Sequence, residues 1–313
     1  MSFENGIVVV NKTRLESLVE RFNTKAQAKF YIEHSGGDFS DYEIEHETFH
    51  RSLESVVNTV QQELKVKVIE RKFVPNFLFS EKDIVVVVGQ DGLLANTAKY
   101  VNGLPIIGVN PDVQRYDGIL LPFDTSSFEY GILALMKDKA KFKEVTLAEA
   151  RTNDGQKLLA FNDLFIGPAS HTSARYKITF GGKSEQQSSS GVIIATGAGS
   201  TGWLSSIMNM TNGVSSTFGN SSQAQKIAFG LPWNTDTLAF VVREPFQSRH
   251  SNTSLSAGLV GRDEKITIES FMPSNGIVFS DGIEADFIHF NSGVKVEIGI
   301  AAQKARLVEN IKN

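Results

Sequence analysis

The sequence predicts an α/β fold: a doubly wound, Rossmann-like domain over residues 1–140, then a β-rich, sandwich-like domain over residues 141–300. Short runs of β-branched residues alternate with amphipathic helical segments through the first part, as in a parallel sheet covered on both faces. Beyond residue 140 the chain breaks into short alternating stretches separated by Gly, Asn, Ser and Pro, the texture of an all-β domain. The length of 313 residues, at roughly 100–200 per domain, provides for two cores.

A buried strand is expected at 7–10. It runs into Thr13-Arg14-Leu15-Glu16, a capping box that starts a helix carrying Leu15, Leu18, Val19, Phe22 and Ala26 on one face. A second helix presents Phe49, Leu53, Val56, Val57, Val60 and Leu64. Strands follow at 66–69, 84–88 and 106–109, and a helix at about 126–139. The second domain shows candidate strands at 175–180, 192–196, 238–243, 265–270, 285–290 and 294–300.

Composition narrows the function classes. Hydrophobic residues make up 41% and charged residues 21%, with a net charge of −4, so there is no global pull toward nucleic acid or an anionic membrane. With no cysteine, disulfides, thiolate metal sites and thiol nucleophiles are excluded. No apolar run approaches the roughly 20 residues that span a bilayer, and the N-terminus lacks a signal-peptide pattern. The expectation is a cytoplasmic protein with small-molecule partners and neither nucleic acid nor membrane. Residues 186–235 contain no acid and only Lys226 as a charge, which reads either as a solvated loop set or as a neutral donor surface for an anionic ligand.

Several motifs lead elsewhere. Gly181-Gly182-Lys183-Ser184 lacks the earlier glycine of a P-loop, Lys177 standing in its place. Gly197-Ala198-Gly199-Ser200-Thr201-Gly202 satisfies G-x-G-x-x-G, but no acid follows until Asp236 and no parallel crossover is visible, so a dehydrogenase is disfavoured. His46 and His50, four apart on the second helix, read as a solvated face, and no dedicated metal-ligand set is identified. The informative stretch is Val85-Val86-Val87-Val88-Gly89-Gln90-Asp91-Gly92, a strand ending abruptly in a turn where doubly wound folds bind ligands. Its glycines allow close backbone approach to phosphates, and Asp91 stands between them as a candidate base.

With Ile107-Gly108-Val109-Asn110, Phe161-Asn162-Asp163, Thr196 to Trp203, Arg243-Glu244-Pro245 and Ser280-Asp281-Gly282 in the same order, the sequence resembles the NAD kinases of the ATP-NAD kinase and diacylglycerol kinase-like superfamily. It looks closer to their mitochondrial-type branch. The resemblance implies transfer of the ATP γ-phosphate to the 2′-hydroxyl of the adenosine ribose of NAD, with Mg²⁺ or Mn²⁺ accompanying ATP and the active site in a cleft between the domains. By the same resemblance Asp91 is the base, and Gly89, Gln90 and Gly92 line phosphates. Asn162 and Asp163 hold the dinucleotide, framed by Gly199, Ser200, Thr201, Gly202, Trp203 and Ser206. Arg175, Ser190, Arg243 and Asp281 are weaker candidates. Residues 301–313 are expected to rejoin the first domain, and a homodimer or homotetramer is implied.

The family turn is usually Gly-Gly-Asp-Gly-Thr. Gln90 therefore places a Cβ where glycine adopts positive φ freely, and Leu93 removes a hydroxyl. Two rivals follow: a dinucleotide-binding or sensing homologue without turnover, and a lipid or polyol kinase of the same superfamily.

Overall fold

The computed structural model describes residues 3–219 and 229–310. Residues 220–228 of the acid-free stretch and 311–313 of the returning segment lie outside them. The described chain forms two compact units, residues 3–143 with 306–310 and residues 144–305. Among the described residues no helix is long and apolar enough to cross a membrane.

In the first unit β1 (Asn5–Val10) leads to α1 (Arg14–Phe22), α2 (Lys25–His34) and α3 (Phe39–Glu63). Next come β2 (Lys65–Glu70), β3 (Asp83–Val88), α4 (Asp91–Ala98), β4 (Pro105–Asn110), β5 (Phe123–Asp124) and α5 (Phe128–Met136). The strands pair in parallel in the order β2-β1-β3-β4, with β5 and residues 306–307 also alongside β4. The capping box at Thr13 and Glu16 is formed, but the expected helix through Ala26 is two helices. Asn23 is left-handed at φ 64, and the Thr24 hydroxyl accepts the Gln27 N–H to start α2.

The even residues of β3, Ile84, Val86 and Val88, share a core with Val56 and Val60 of α3 and Phe128 and Ile132 of α5. The opposite face is taken by α4. A Cβ added to Gly108 would lie 2.6 Å from the Leu94 side chain and 2.6 Å from the Leu120 carbonyl oxygen, so the glycine in β4 is what lets α4 lie flat on the sheet. Helices on both faces explain why β3 is buried at every residue.

The second unit begins with β6 (Phe142–Thr152), β7 (Lys157–Ala160), β8 (Asp163–Pro168), β9 (Ala174–Phe180), β10 (Lys183–Ser189) and β11 (Val192–Ala195). After α6 (Trp203–Phe218) come β12 (Thr237–Val242), β13 (Ala257–Gly261), β14 (Ile266–Ser270), β15 (Gly276–Ser280), β16 (Ile283–His289) and β17 (Lys295–Val308). One antiparallel sheet runs β13-β12-β11-β8-β15-β16, and another runs β10-β9-β14-β17. Their inner faces meet in one core, Ile166, Val192, Ile194 and Phe240 against Tyr176, Ile178, Ile268 and Val296. The Gly181-Gly182 pair, at φ 57 and 75, is the hairpin turn between β9 and β10. After the Gly197 turn and α6 the chain returns in β12, antiparallel to β11, so the glycine-rich turn opens no βαβ unit.

Candidate functional site

β3 ends at Val88, and Asp91 is the first residue of α4. Its carboxylate is fixed by two backbone donors from the loop after β4: Oδ2 accepts Ile119 N–H at 3.2 Å and Oδ1 accepts Leu120 N–H at 2.9 Å. Each oxygen keeps a further lone pair, so the group is held in place without being used up. The half-buried Asp91 thus presents a positioned acceptor at the carboxyl end of the sheet.

The reading of Gln90 as a residue in a glycine-only conformation is corrected. Gln90 has φ −104 and ψ 165, ordinary extended backbone that serves as the N-cap, and neither Gly89 nor Gly92 has positive φ. At Gly89 a Cβ would stand 2.8 Å from Leu93 Cδ2, the end of a side chain that would have to shift to make room. Leu93 is 5% exposed and packs beneath the turn, and the Gln90 side chain turns to the Tyr116 hydroxyl. Nothing lies within 4 Å of the Cβ direction at Gly92, so the first turn of α4 is open there.

The loop that holds Asp91 is itself anchored. Arg115 forks onto Asp41 of α3 with bonds of 2.6 and 3.2 Å, and Arg14 bonds the same carboxylate at 2.7 Å and pairs with Glu45. The two guanidiniums hold the Asp41 carboxyl far below the usual carboxylate range. Tyr116 donates to Glu45 at 3.3 Å, and Asn110 caps the loop by donating to Tyr116 O and accepting Asp112 N–H.

The second unit gathers residues 161–163, 196–203 and 281. Asp281, at φ 53 in the β15–β16 hairpin, accepts three successive backbone N–H groups, from Phe161 at 3.0 Å, Asn162 at 2.6 Å and Asp163 at 3.2 Å. Its own N–H donates to Asp163 O at 3.0 Å. The Thr196 hydroxyl donates to Phe161 O at 2.6 Å and accepts Gly199 N–H at 3.2 Å. A Cβ at Gly199 would lie 2.0 Å from Asn162 O, so the glycine-rich turn packs directly on the Asn162 backbone. This cluster leaves Asn162 half-buried and Asp163 8% exposed. Burial, and then the neighbouring Asp281 charge, push the Asp163 carboxyl up to about 7.

The other candidates are distributed unevenly. Thr201, Gly202 and Ser206 are exposed around the first turn of α6. Ser200 is 2% exposed, its hydroxyl donating to Gly197 O at 2.7 Å and accepting Leu231 N–H at 3.2 Å, so it braces the turn instead of facing a ligand. Trp203 lies nearly parallel to Phe165 at 5.7 Å, with the Arg243 guanidinium 5.6 Å from its ring centre. Ser190 N–H donates to Arg243 O at 2.9 Å, at the far end of β11 from Thr196. Exposed Arg175 is on β9, in the other sheet. Sequence reasoning placed Asp281 only among the weaker candidates and did not reveal the Ile119 and Leu120 amides. An Asp-Gly hairpin does not say where its carboxylate points, and backbone donors leave no mark in side-chain identity.

No family model matches the chain. Among characterised proteins it is 22% identical over 253 residues to a probable NADH kinase of Oryza sativa subsp. japonica, covering 73% of this chain and 72% of that protein. It is 25% identical over 248 residues to the mitochondrial NAD kinase 2 of Rattus norvegicus, covering 63% and 58%. An NAD kinase of Saccharolobus islandicus is 29% identical over 145 residues, 46% of this chain and 56% of that one. The chain thus spans less than two thirds of the length of the rat and archaeal relatives. In fold it resembles yeast NADH kinase complexed with NADH, at TM-score 0.59 and 15% identity over 100% of this chain and 85% of that one. It also resembles an Archaeoglobus fulgidus NAD kinase in complex with ATP, at TM-score 0.58 and 16% identity over 98% and 94%. Its sequence relatives at 22–29% identity are NAD and NADH kinases, and the chain shares the mixed α/β fold of the solved NAD and NADH kinases.

Proposed function

We propose that the chain phosphorylates the 2′-hydroxyl of the adenosine ribose of NAD or NADH, with ATP as donor. The observation that carries this reading is Asp91, a carboxylate fixed by two backbone amides at the carboxyl end of β3 in a fold shared with NAD and NADH kinases. The kinases among its relatives act on NAD or NADH, and the solved neighbours hold NADH and ATP.

In this reading the ribose 2′-oxygen attacks the γ-phosphorus, the bond to the β–γ bridging oxygen breaks, and ADP leaves. The hydroxyl proton passes to Asp91. Phosphoryl transfer asks mainly for alignment and charge neutralisation, so one positioned carboxylate suffices from the protein and no P-loop lysine is required. The magnesium or manganese ion that accompanies the triphosphate supplies that neutralisation. Asn162, Asp163 and the exposed first turn of α6 are the assigned dinucleotide contacts. A protonated Asp163 donates a hydrogen bond to a hydroxyl or phosphate oxygen, whereas an ionised one accepts from a ribose hydroxyl.

The Gln90 and Leu93 substitutions give no reason to prefer a binding protein without turnover, because the turn accommodates both without strain. The test is NADP or NADPH formation from NAD or NADH with ATP and Mg²⁺, read by an NADP-specific dehydrogenase. Turnover supports the assignment. Dinucleotide binding with no phosphorylated product under any donor overturns it in favour of a binding protein.

A further inference from the structure

Outside these residues, the first unit holds a cavity of about 760 Å³ lined by the end of β1, α1 and α3, with Leu15, Val19, Phe49 and Val68 as apolar walls. Its polar lining includes Glu16 of α1 and His46 and His50 of α3. One ligand atom from each of these three side chains lies within 4.8 Å of the others, the only such group among the described residues. We propose that Glu16, His46 and His50 form a binding site for a divalent transition ion of the zinc class, independent of the phosphoryl-transfer assignment.

Each part of the arrangement suits that chemistry. His46 and His50 are one helical turn apart, so their rings project from one face of α3 and stand 4.3 Å apart. His50 Nε2 and Glu16 Oε1 are 3.0 Å apart, close to the ~3.3 Å that separates two ligand atoms on a tetrahedral ion with bonds of about 2.0–2.1 Å. The cap residues orient the set from outside. Glu16 Oε2 accepts Thr13 N–H at 2.7 Å, which leaves Oε1 toward the histidines. The Thr13 hydroxyl is 2.9 Å from His46 Nδ1, fixing that ring and leaving Nε2 for the ion, as outer partners of metal-bound imidazoles do. The lysines of the lining are paired elsewhere, Lys12 with Glu20 at 2.7 Å and Lys25 with Glu43 at 2.6 Å. Two imidazoles and one carboxylate leave a fourth position toward the cavity, filled by water or a small ligand. The sequence reading takes His46 and His50 as a solvated face; Glu16, from another helix and 30 residues before His46, joins them only in the fold.

The test uses the full chain, stripped with a chelator and titrated with Zn²⁺ by calorimetry and with Co²⁺ by visible absorption. The expected result is a one-to-one isotherm, visible bands of four-coordinate Co²⁺, and a melting temperature that rises with the ion. His50→Ala and Glu16→Gln, the latter keeping an oxygen for the Thr13 cap, should each weaken binding by roughly tenfold or more with little change in the metal-free melting temperature. Absence of binding, or equal affinity in wild type and both variants, would overturn the site.

Discussion

Asp91 and Asp163 are held in opposite ways, and the contrast sets what each can do. Asp91 faces two backbone donors, while Asp163 is buried beside the charge of Asp281, which takes the three amides of residues 161–163 for itself. With Asp163 raised from 3.8 to about 7, the folded chain retains a proton between those values that the unfolded chain has released. Its stabilising effect is therefore complete below about pH 4 and is lost as pH rises toward 7, with a limiting slope of about 1.4 kcal/mol per pH unit. Asp163→Asn should remove that slope, so the stability difference from wild type, measured by denaturant titration from pH 4 to 8, moves in favour of the variant as pH rises. A parallel pair of curves would show that Asp163 is ionised throughout. Asp281→Asn keeps a side chain suited to φ 53 but replaces the carboxylate, and should cost about 1–3 kcal/mol in the same titration, with Asp281→Ala costing more. Equal stability of wild type and Asp281→Ala would mean that the three amides find other partners.

At the scale of elements, two glycines set how closely neighbouring segments approach. Gly108 seats α4 on the sheet, and Gly199 seats the turn before α6 on the Asn162 backbone. Gly199→Ala should destabilise by roughly 1–3 kcal/mol and weaken dinucleotide binding together, checked by thermal unfolding and a binding titration. Gln90→Gly, by contrast, should leave turnover near wild type, since Gln90 needs no glycine conformation; a collapse in rate would give its amide a direct role. The sequence made legible what periodicity and β-branching encode: β1, β3, β4, the apolar face of α3, and β9, β11, β12 and β14. It did not reveal β6, β7, β8, β10, β13 or β15. β10, Lys-Ser-Glu-Gln-Gln-Ser-Ser, is polar because its partners supply the burial, Gln187 and Ser189 being tied to the Tyr176 hydroxyl. α6 was hidden because Ser, Asn and Gly dominate it, and Leu204 and Ile207 are its buried residues.

In the whole molecule, a parallel sheet carries Asp91 and an antiparallel sandwich carries Asn162, Asp163 and the α6 turn. The motif spacing made these segments legible. The backbone donors that orient them were not, because they belong to loops brought near by topology. The central claim is that Asp91 takes the ribose proton while contributing little to dinucleotide affinity. The measurement that addresses it most directly is a paired determination, on wild type and Asp91→Asn, of NADP formation and of NAD binding by calorimetry. The account predicts that Asp91→Asn, which retains one carbonyl oxygen for the Ile119 and Leu120 amides, loses at least about 100-fold in turnover with binding changed less than threefold. Turnover within a few-fold of wild type would contradict it and move the base to another residue.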